Sequence, residues 1–206
     1  MSFNYHHDEA LEAIARKVIS QHDPHLLSTI AAIPVEIIME KVYGLTFEYQ
    51  YIRKYAQILG ETVFEDAEIP IYERRNNEGY KLIFVKAGTV IIDASLLGKR
   101  NIGRLRFTCA HELSHWVIDR EYFTQLGETA AMTIKTARSS DTSEAIERQA
   151  NRLACRILMP KCTIKSAFYQ FFKITPNSIA LTAYIAGIYA VSHQAMDIRL
   201  RELGLI

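Results

Sequence analysis

The pentapeptide His111-Glu112-Leu113-Ser114-His115 constrains this chain more than any other stretch, because the H-E-x-x-H spacing asks for a helix that carries two imidazoles on one face. The surrounding run from Ile102 to Ile118 contains no proline, so a helix is expected throughout it. At about 100° per residue, positions four apart return to within roughly 40° of the same direction. His111 and His115 then project together and can chelate one ion. Glu112 is one step round the helix, away from that coordination position, yet it can reach a water beside the ion. It is the candidate general base. Phe107, Ala110, Ser114 and Val117 recur at three- and four-residue spacing, with Leu113 and Ile118 beside them. They make an apolar stripe that leaves the two histidines off its centre.

A chain of 206 residues with 49% apolar content can bury a sizeable core. We expect one domain over 1–206, with a helical part at 1–43, a core at 44–160 that holds the pentapeptide, and a further helical part at 161–206. The formal charge of +1 supplies no global attraction to nucleic acid or acidic membranes. Three cysteines, at 109, 155 and 162, show no paired spacing, which argues against a disulfide framework and against a cysteine-based metal site. The opening MSFNYHHDEALEA is polar and acidic, unlike a signal peptide, and no segment approaches eighteen consecutive apolar residues. A cytoplasmic protein without a membrane partner is expected.

In chain order, Asp8 to Ser20 predicts an amphipathic helix, Pro24 to Ala32 a second, and Val35 to Tyr43 a third that Pro34 opens and Gly44 stops. His6, His7, His22 and His25 fall near these ends as surface residues. Strands are predicted at Thr46 to Ile52, Thr62 to Phe64 and Ile69 to Tyr72, and Tyr80 to Val85 with Thr89 to Ile92 suggests a hairpin around Ala87-Gly88. The expected class is therefore α+β, a small antiparallel sheet preceding the metal helix. Lys99, Arg100, Arg104 and Arg106 are expected as a solvated approach to that helix. Asp119 to Ser140 reads as a long polar connection bordering the cleft. Helices follow at Thr142 to Met159, Thr163 to Phe172, Asn177 to Gly187 and Ser192 to Leu203. The last two can be drawn as a helix-turn-helix about Gly187. However, His193, Gln194, Asp197, Arg199, Arg201 and Glu202 carry little net positive charge for phosphates, so two packing helices are the better expectation and direct nucleic-acid binding is not expected.

A catalytic zinc usually keeps three protein ligands, and the helix from Thr142 offers Glu144 and Glu147. Asp141-Thr142-Ser143-Glu144 fits a capping box, with Glu144 folding back to the amide of Asp141. Glu147 lies in line with Ala150, Asn151 and Ala154, where alanines permit a close helix approach, and is the favoured third ligand. Asn151, four residues on, faces the same way and is either an acceptor for a ligand histidine's outer N–H or an ordinary surface amide. Cys109 and Cys155 are expected as small core residues.

Taken together, Arg104-x-Arg106-Phe107-Thr108-x-Ala110-His111-Glu112-Leu113-x-His115, Glu147-x-x-Ala150-Asn151-x-x-Ala154 and Leu158-Met159-Pro160 resemble the signature of the ImmA/IrrE metallopeptidase family. Pro34-Val35-Glu36 before Gly44, and Val191-Ser192-x-x-Ala195-x-x-x-Arg199-Leu200 near the end, match it too. The resemblance implies a zincin-like, gluzincin-type fold and one zinc per chain, held by His111, His115 and Glu147. It also implies cytosolic cleavage of helix-turn-helix transcriptional repressors of mobile elements or stress responses. One departure is that no convincing DNA-binding module is found. In the expected reaction zinc activates water and the scissile carbonyl while Glu112 moves the proton to the leaving amine, and the substrate pairs with an edge strand near Thr89 to Asp93. The alternative is a non-proteolytic metal-containing regulator that binds a repressor or DNA.

Overall fold

The computed structural model describes residues 4–73, 79–98, 101–126, 141–175 and 177–206. Helix α1 (Asp8–His22) buries Leu11, Ala15, Val18 and Ile19, the i, i+4, i+7, i+8 stripe of an amphipathic helix. Helix α2 (Val35–Lys41) is entered through Pro34, and Gly44 takes a φ of +64° soon after its end, a backbone state that costs glycine little. Between them only Pro24–Leu27 forms a 3-10 turn, shorter than the predicted helix to Ala32. Its hydroxyls bond locally, Ser28 and Thr29 both donating to the carbonyl of His25, which competes with helix continuation.

Among the described residues five strands follow: β1 (Thr46–Gln50), β2 (Gly60–Thr62), β3 (Ala67–Glu73), β4 (Gly79–Val85) and β5 (Thr89–Asp93). They make two sheets. In the first, β5 lies centrally, parallel to β1 and antiparallel to β2. The second is an antiparallel hairpin of β3 and β4. The predicted pairing of β4 with β5 is thus incorrect, and the sheet is mixed rather than purely antiparallel. Burial explains both differences. All five residues of β5 are buried, which needs cover on both faces and both edges. Strand β4 instead leaves Tyr80, Leu82 and Phe84 exposed along one face. Gly88, at φ +82°, turns the chain between the two sheets, and its N–H donates to the carbonyl of Val63.

Helix α3 (Ile102–Ile118) is buried almost all round, with Arg106, Thr108, Cys109, Ala110, Glu112, Leu113, Ser114, His115 and Trp116 all covered. Arg106 is not a surface residue as predicted, since its guanidinium donates to the carbonyl of Ile33 at 2.6 Å and meets Glu36 at 3.4 Å. A buried guanidinium is tolerated because it is paired in this way. Arg104 is exposed, while Lys99 and Arg100 lie outside the described residues. The supposed connection after α3 begins as helix α4 (Arg120–Leu126), whose Phe123 is fully buried and stacks on Phe64. Residues 127–140 lie outside the described residues.

Helix α5 (Asp141–Leu158) packs on α3, and α6 (Lys161–Phe172), α7 (Ser178–Tyr189) and α8 (His193–Glu202) close that side. Asn177 caps α7 by accepting from the amides of Ile179 and Ala180, and Ser192 caps α8 by accepting from Ala195. The turn between them falls at Ala190, with φ +51°, and Gly187 stays helical. Gly103 of α3 lets this turn come close, since a Cβ there would lie 3.3 Å from the amide nitrogen of Ser192. Arg199, a basic residue of the would-be recognition helix, is buried against the carbonyl of Met159. The pair α7 and α8 therefore packs against the body of the protein. Among the described residues no helix is long and apolar enough to cross a membrane.

Candidate metal centre

The helical turn between His111 and His115 brings their Nε2 atoms to 3.0 Å of each other. Opposite them, α5 presents Glu147, with carboxylate oxygens 3.3 Å from His111 Nε2 and 3.6 Å from His115 Nε2. Ala150 and Ala154, both fully buried, keep the apolar flank of α5 thin enough for close packing. Each imidazole is fixed from its other side. The Nδ1 of His111 lies 3.1 Å from Asn151 Oδ1, and the Nδ1 of His115 lies 2.8 Å from Asp119 Oδ2. Both acceptors place the ring proton on Nδ1, which turns two Nε2 lone pairs and a carboxylate toward one point. Ligand atoms of His111, His115 and Glu147 all lie within 4.8 Å of one another. A cation suits that donor set, because it alone relieves the mutual repulsion of converging lone pairs without a proton.

Electrostatics around His115 point the same way. Burial by itself would lower its pKa, but the hydrogen bond and charge of Asp119, then the charges of Glu147 and Glu112, carry it up to about 9. Three carboxylates thus draw positive charge to this spot, and a metal ion would compete there with a proton. Asp119 is itself buried, and burial pushes its carboxyl up against the opposing pull of His115.

Glu112 is not one of the grouped donors, though it lines the same cleft, and its carboxylate meets strand β2. Its Oε2 accepts a 2.7 Å hydrogen bond from Thr62 Oγ1, and both residues are buried. A cleft of about 550 Å³ runs between residues 57–62 on one side and α3 and α5 on the other, with His111, Glu112, His115, Glu147 and Asn151 on its wall. Glu144 is also on that wall, but its exposed carboxylate lies 3.4 Å from Arg148. Helix α5 begins at Asp141, and the expected cap at its start involves side chains outside the described residues. Strand β5 is central in its sheet and so cannot be the predicted substrate edge. Strand β2 is the edge that borders the cleft.

Asp119, Thr62, Gly60 and Glu61 are features of this site that the sequence argument passed over. Asp119 was findable, because it stands four residues after His115 and so on the same face. Thr62 and Gly60 meet Glu112 only through tertiary packing about fifty residues away in the chain. Glu61 is buried, its Oε2 lacks a hydrogen-bond partner, and burial, then opposed by Arg53 and reinforced by Glu112, lifts its carboxyl to about 7. Cys109 is buried and free, and burial pushes its thiol well up, which suits a small core residue rather than a thiolate ligand.

Comparison with known proteins bears on these residues. A solved structure of a Mycobacterium tuberculosis transcriptional regulator is similar at 15% identity and a TM-score of 0.49, over 96% of this chain and 48% of that one. The chain therefore spans about half the length of that protein. None of the curated proteins matches. The peptidase M78 family, described as an IrrE N-terminal-like domain, matches at residues 100–201, from just before α3 through most of α8 and so across the whole donor cluster. By that match the chain belongs to the ImmA/IrrE family of metallopeptidases.

Proposed function

We propose that this chain is a zinc-dependent endopeptidase of zincin-like, gluzincin type, acting in the cytoplasm on a helix-turn-helix transcriptional repressor of a mobile element or stress response. Residues 1–206 act in this proposal as one peptidase unit. One zinc per chain would be held by Nε2 of His111, Nε2 of His115 and the carboxylate of Glu147. The observation that carries the proposal is the convergence of these three groups with both Nδ1 atoms tied to Asn151 and Asp119.

When bound, the ion supplies Lewis acidity that polarises a scissile carbonyl and acidifies water. Asp119 and Asn151 hold the two rings in the tautomer that binding requires. Glu112, adjacent on α3, accepts the proton of the attacking water and delivers it to the leaving amine. The open edge of β2 offers backbone groups to an extended substrate segment in place of the central β5. A cleft approached this way handles one strand of substrate at a time, so selectivity would come from docking of the target protein more than from one abundant side chain.

The test combines metal analysis with cleavage. Elemental analysis of the purified chain should give about one zinc per molecule, and helix-turn-helix regulators from the same genome should be cut in a way that chelator abolishes. Glu112→Gln should keep the zinc and lose cleavage, whereas His115→Ala and Glu147→Ala should lose both. A Gln variant that still cleaves removes Glu112 from the reaction. Binding of a regulator without a cut, with zinc present, supports the non-proteolytic alternative.

A further inference from the structure

Strand β2 holds the carboxylate of Glu112 from two sides. On one side Thr62 Oγ1 lies 2.7 Å from Oε2, while the backbone carbonyl of Glu112 is farther, at 3.2 Å. A hydroxyl has one hydrogen, and the shorter contact to a charged acceptor takes it. On the other side lies Gly60. A Cβ at that position would stand 2.5 Å from Oε1 and 2.8 Å from Cγ of Glu112, and 2.7 Å from Cγ2 of Thr108, so any side chain there would push the carboxylate from its place or shift the helix. The strand is itself fixed, because Gly60 pairs with Ile92 and Thr62 with Val90 of the fully buried β5.

We propose that Thr62 is a positioning residue for the proposed peptidase reaction, its hydroxyl holding Glu112 Oε2 so that Oε1, lying over Gly60 on the cleft wall, is the oxygen that takes and returns the proton. This rests on the protease proposal above. A glutamate on a helix has three rotatable bonds, and proton transfer needs one oxygen within hydrogen-bond reach of the water in a fixed direction. Buried at this spot, the carboxylate also needs a donor to offset the loss of water, and Thr62 supplies it from the edge strand that borders the cleft. The metal donors do not include this hydroxyl, and its one hydrogen is already given to Glu112. Its loss therefore falls on the chemical step.

The test uses the zinc-loaded full chain with Thr62→Val, which keeps the shape and removes the hydroxyl, and Thr62→Ser, which restores it. The probe is the best-cut member of a randomised pool of internally quenched peptides, short enough to reach the cleft without docking, assayed with substrate in excess. Thr62→Val should lower kcat by about tenfold to a hundredfold with KM within twofold and zinc content unchanged, and Thr62→Ser should recover most of the loss. A second readout needs no activity. In a double-mutant cycle with Glu112→Ala, which removes the acceptor, the two sites should be coupled in urea unfolding by about a factor of ten in the equilibrium constant. Retention of kcat in Thr62→Val, a fall that Ser does not rescue, or additive unfolding effects overturns the positioning role while leaving the protease proposal standing. If the wild-type chain cuts neither the pool nor any helix-turn-helix regulator but the coupling is present, the protease proposal fails and the catalytic meaning of the contact fails with it.

Discussion

Glu61 shows how far one residue can depart from its expected surface habit. It sits on β2 between Gly60 and Thr62, and alternation along a strand sends its side chain to the face opposite theirs. Its register partner is Ile91, which belongs to the small cluster of Ile52, Val63, Ile69 and Val85 beneath the hairpin. A carboxylate in that setting is disfavoured as the ion, which is why its folded value rises from 4.5 to about 7 in spite of Arg53. The direction of the linkage follows. With the folded value above the unfolded one, Glu61 adds stability that is fully present below about pH 4.5 and is lost as pH rises through about 7. At pH 8 the folded chain carries a buried, incompletely bonded charge. Glu61→Gln should therefore gain stability relative to wild type between pH 5 and pH 8, on the order of 2 kcal/mol. Urea midpoints of both proteins at the two pH values, at equal metal content, check this, and parallel pH slopes would count against it.

At the level of elements, the contact between α3 and β2 is where local rules gave least warning. The helix was legible, since the run without proline and the spacing of His111 and His115 specify it, and Ile102–Ile118 is where it lies. Glu147 and Asn151 could be placed on one face of α5 for the same reason, because periods of 3.6 residues survive any packing. Strand pairing is different in kind. The run Thr89 to Ile92 looked like half of a local hairpin, and only the need to cover both its faces makes it the centre of a three-stranded sheet. Gly60 in turn carries no signal until α3 is laid across it. At that crossing the fit is tight, a Cβ meeting Glu112 Oε1 at 2.5 Å and Thr108 Cγ2 at 2.7 Å. Glu112 can swing, but Thr108 is buried and cannot move far without shifting the helix. Gly60→Ala is accordingly expected to destabilise by about 1–3 kcal/mol through overpacking and to cut cleavage more steeply than it cuts zinc content. Wild-type turnover in this variant would show that β2 can retreat from α3 at no cost to the site.

On the scale of the whole molecule, charged side chains bind the two ends of the described chain to the back of α5. Asp8 and Glu12 of α1 face Arg152 and Arg156 of α5, and Arg199 of α8 joins them through Glu12. Arg199 is almost fully buried and also donates to the carbonyl of Met159 at the end of α5. Helix α5 is therefore gripped on one face by α1 and α8 while its other face carries Glu147 toward the histidines of α3. Losing Arg199 leaves Glu12 and a buried carbonyl short of a donor. Arg199→Met, which keeps most of the apolar stem, is expected to cost about 2–4 kcal/mol. If residues 1–206 are one cooperative unit, as proposed, that cost should appear as a single shifted transition by both tryptophan fluorescence at Trp116 and far-ultraviolet dichroism, with the zinc ligands untouched. Zinc at about a thousandfold over its Kd adds back roughly 4 kcal/mol by mass action, so the loaded variant should unfold near the midpoint of the metal-free wild type. Two separated transitions would contradict the single unit. A midpoint that zinc fails to raise would mean that the grip of α1 and α8 on α5 is needed to bring Glu147 to the ion at all.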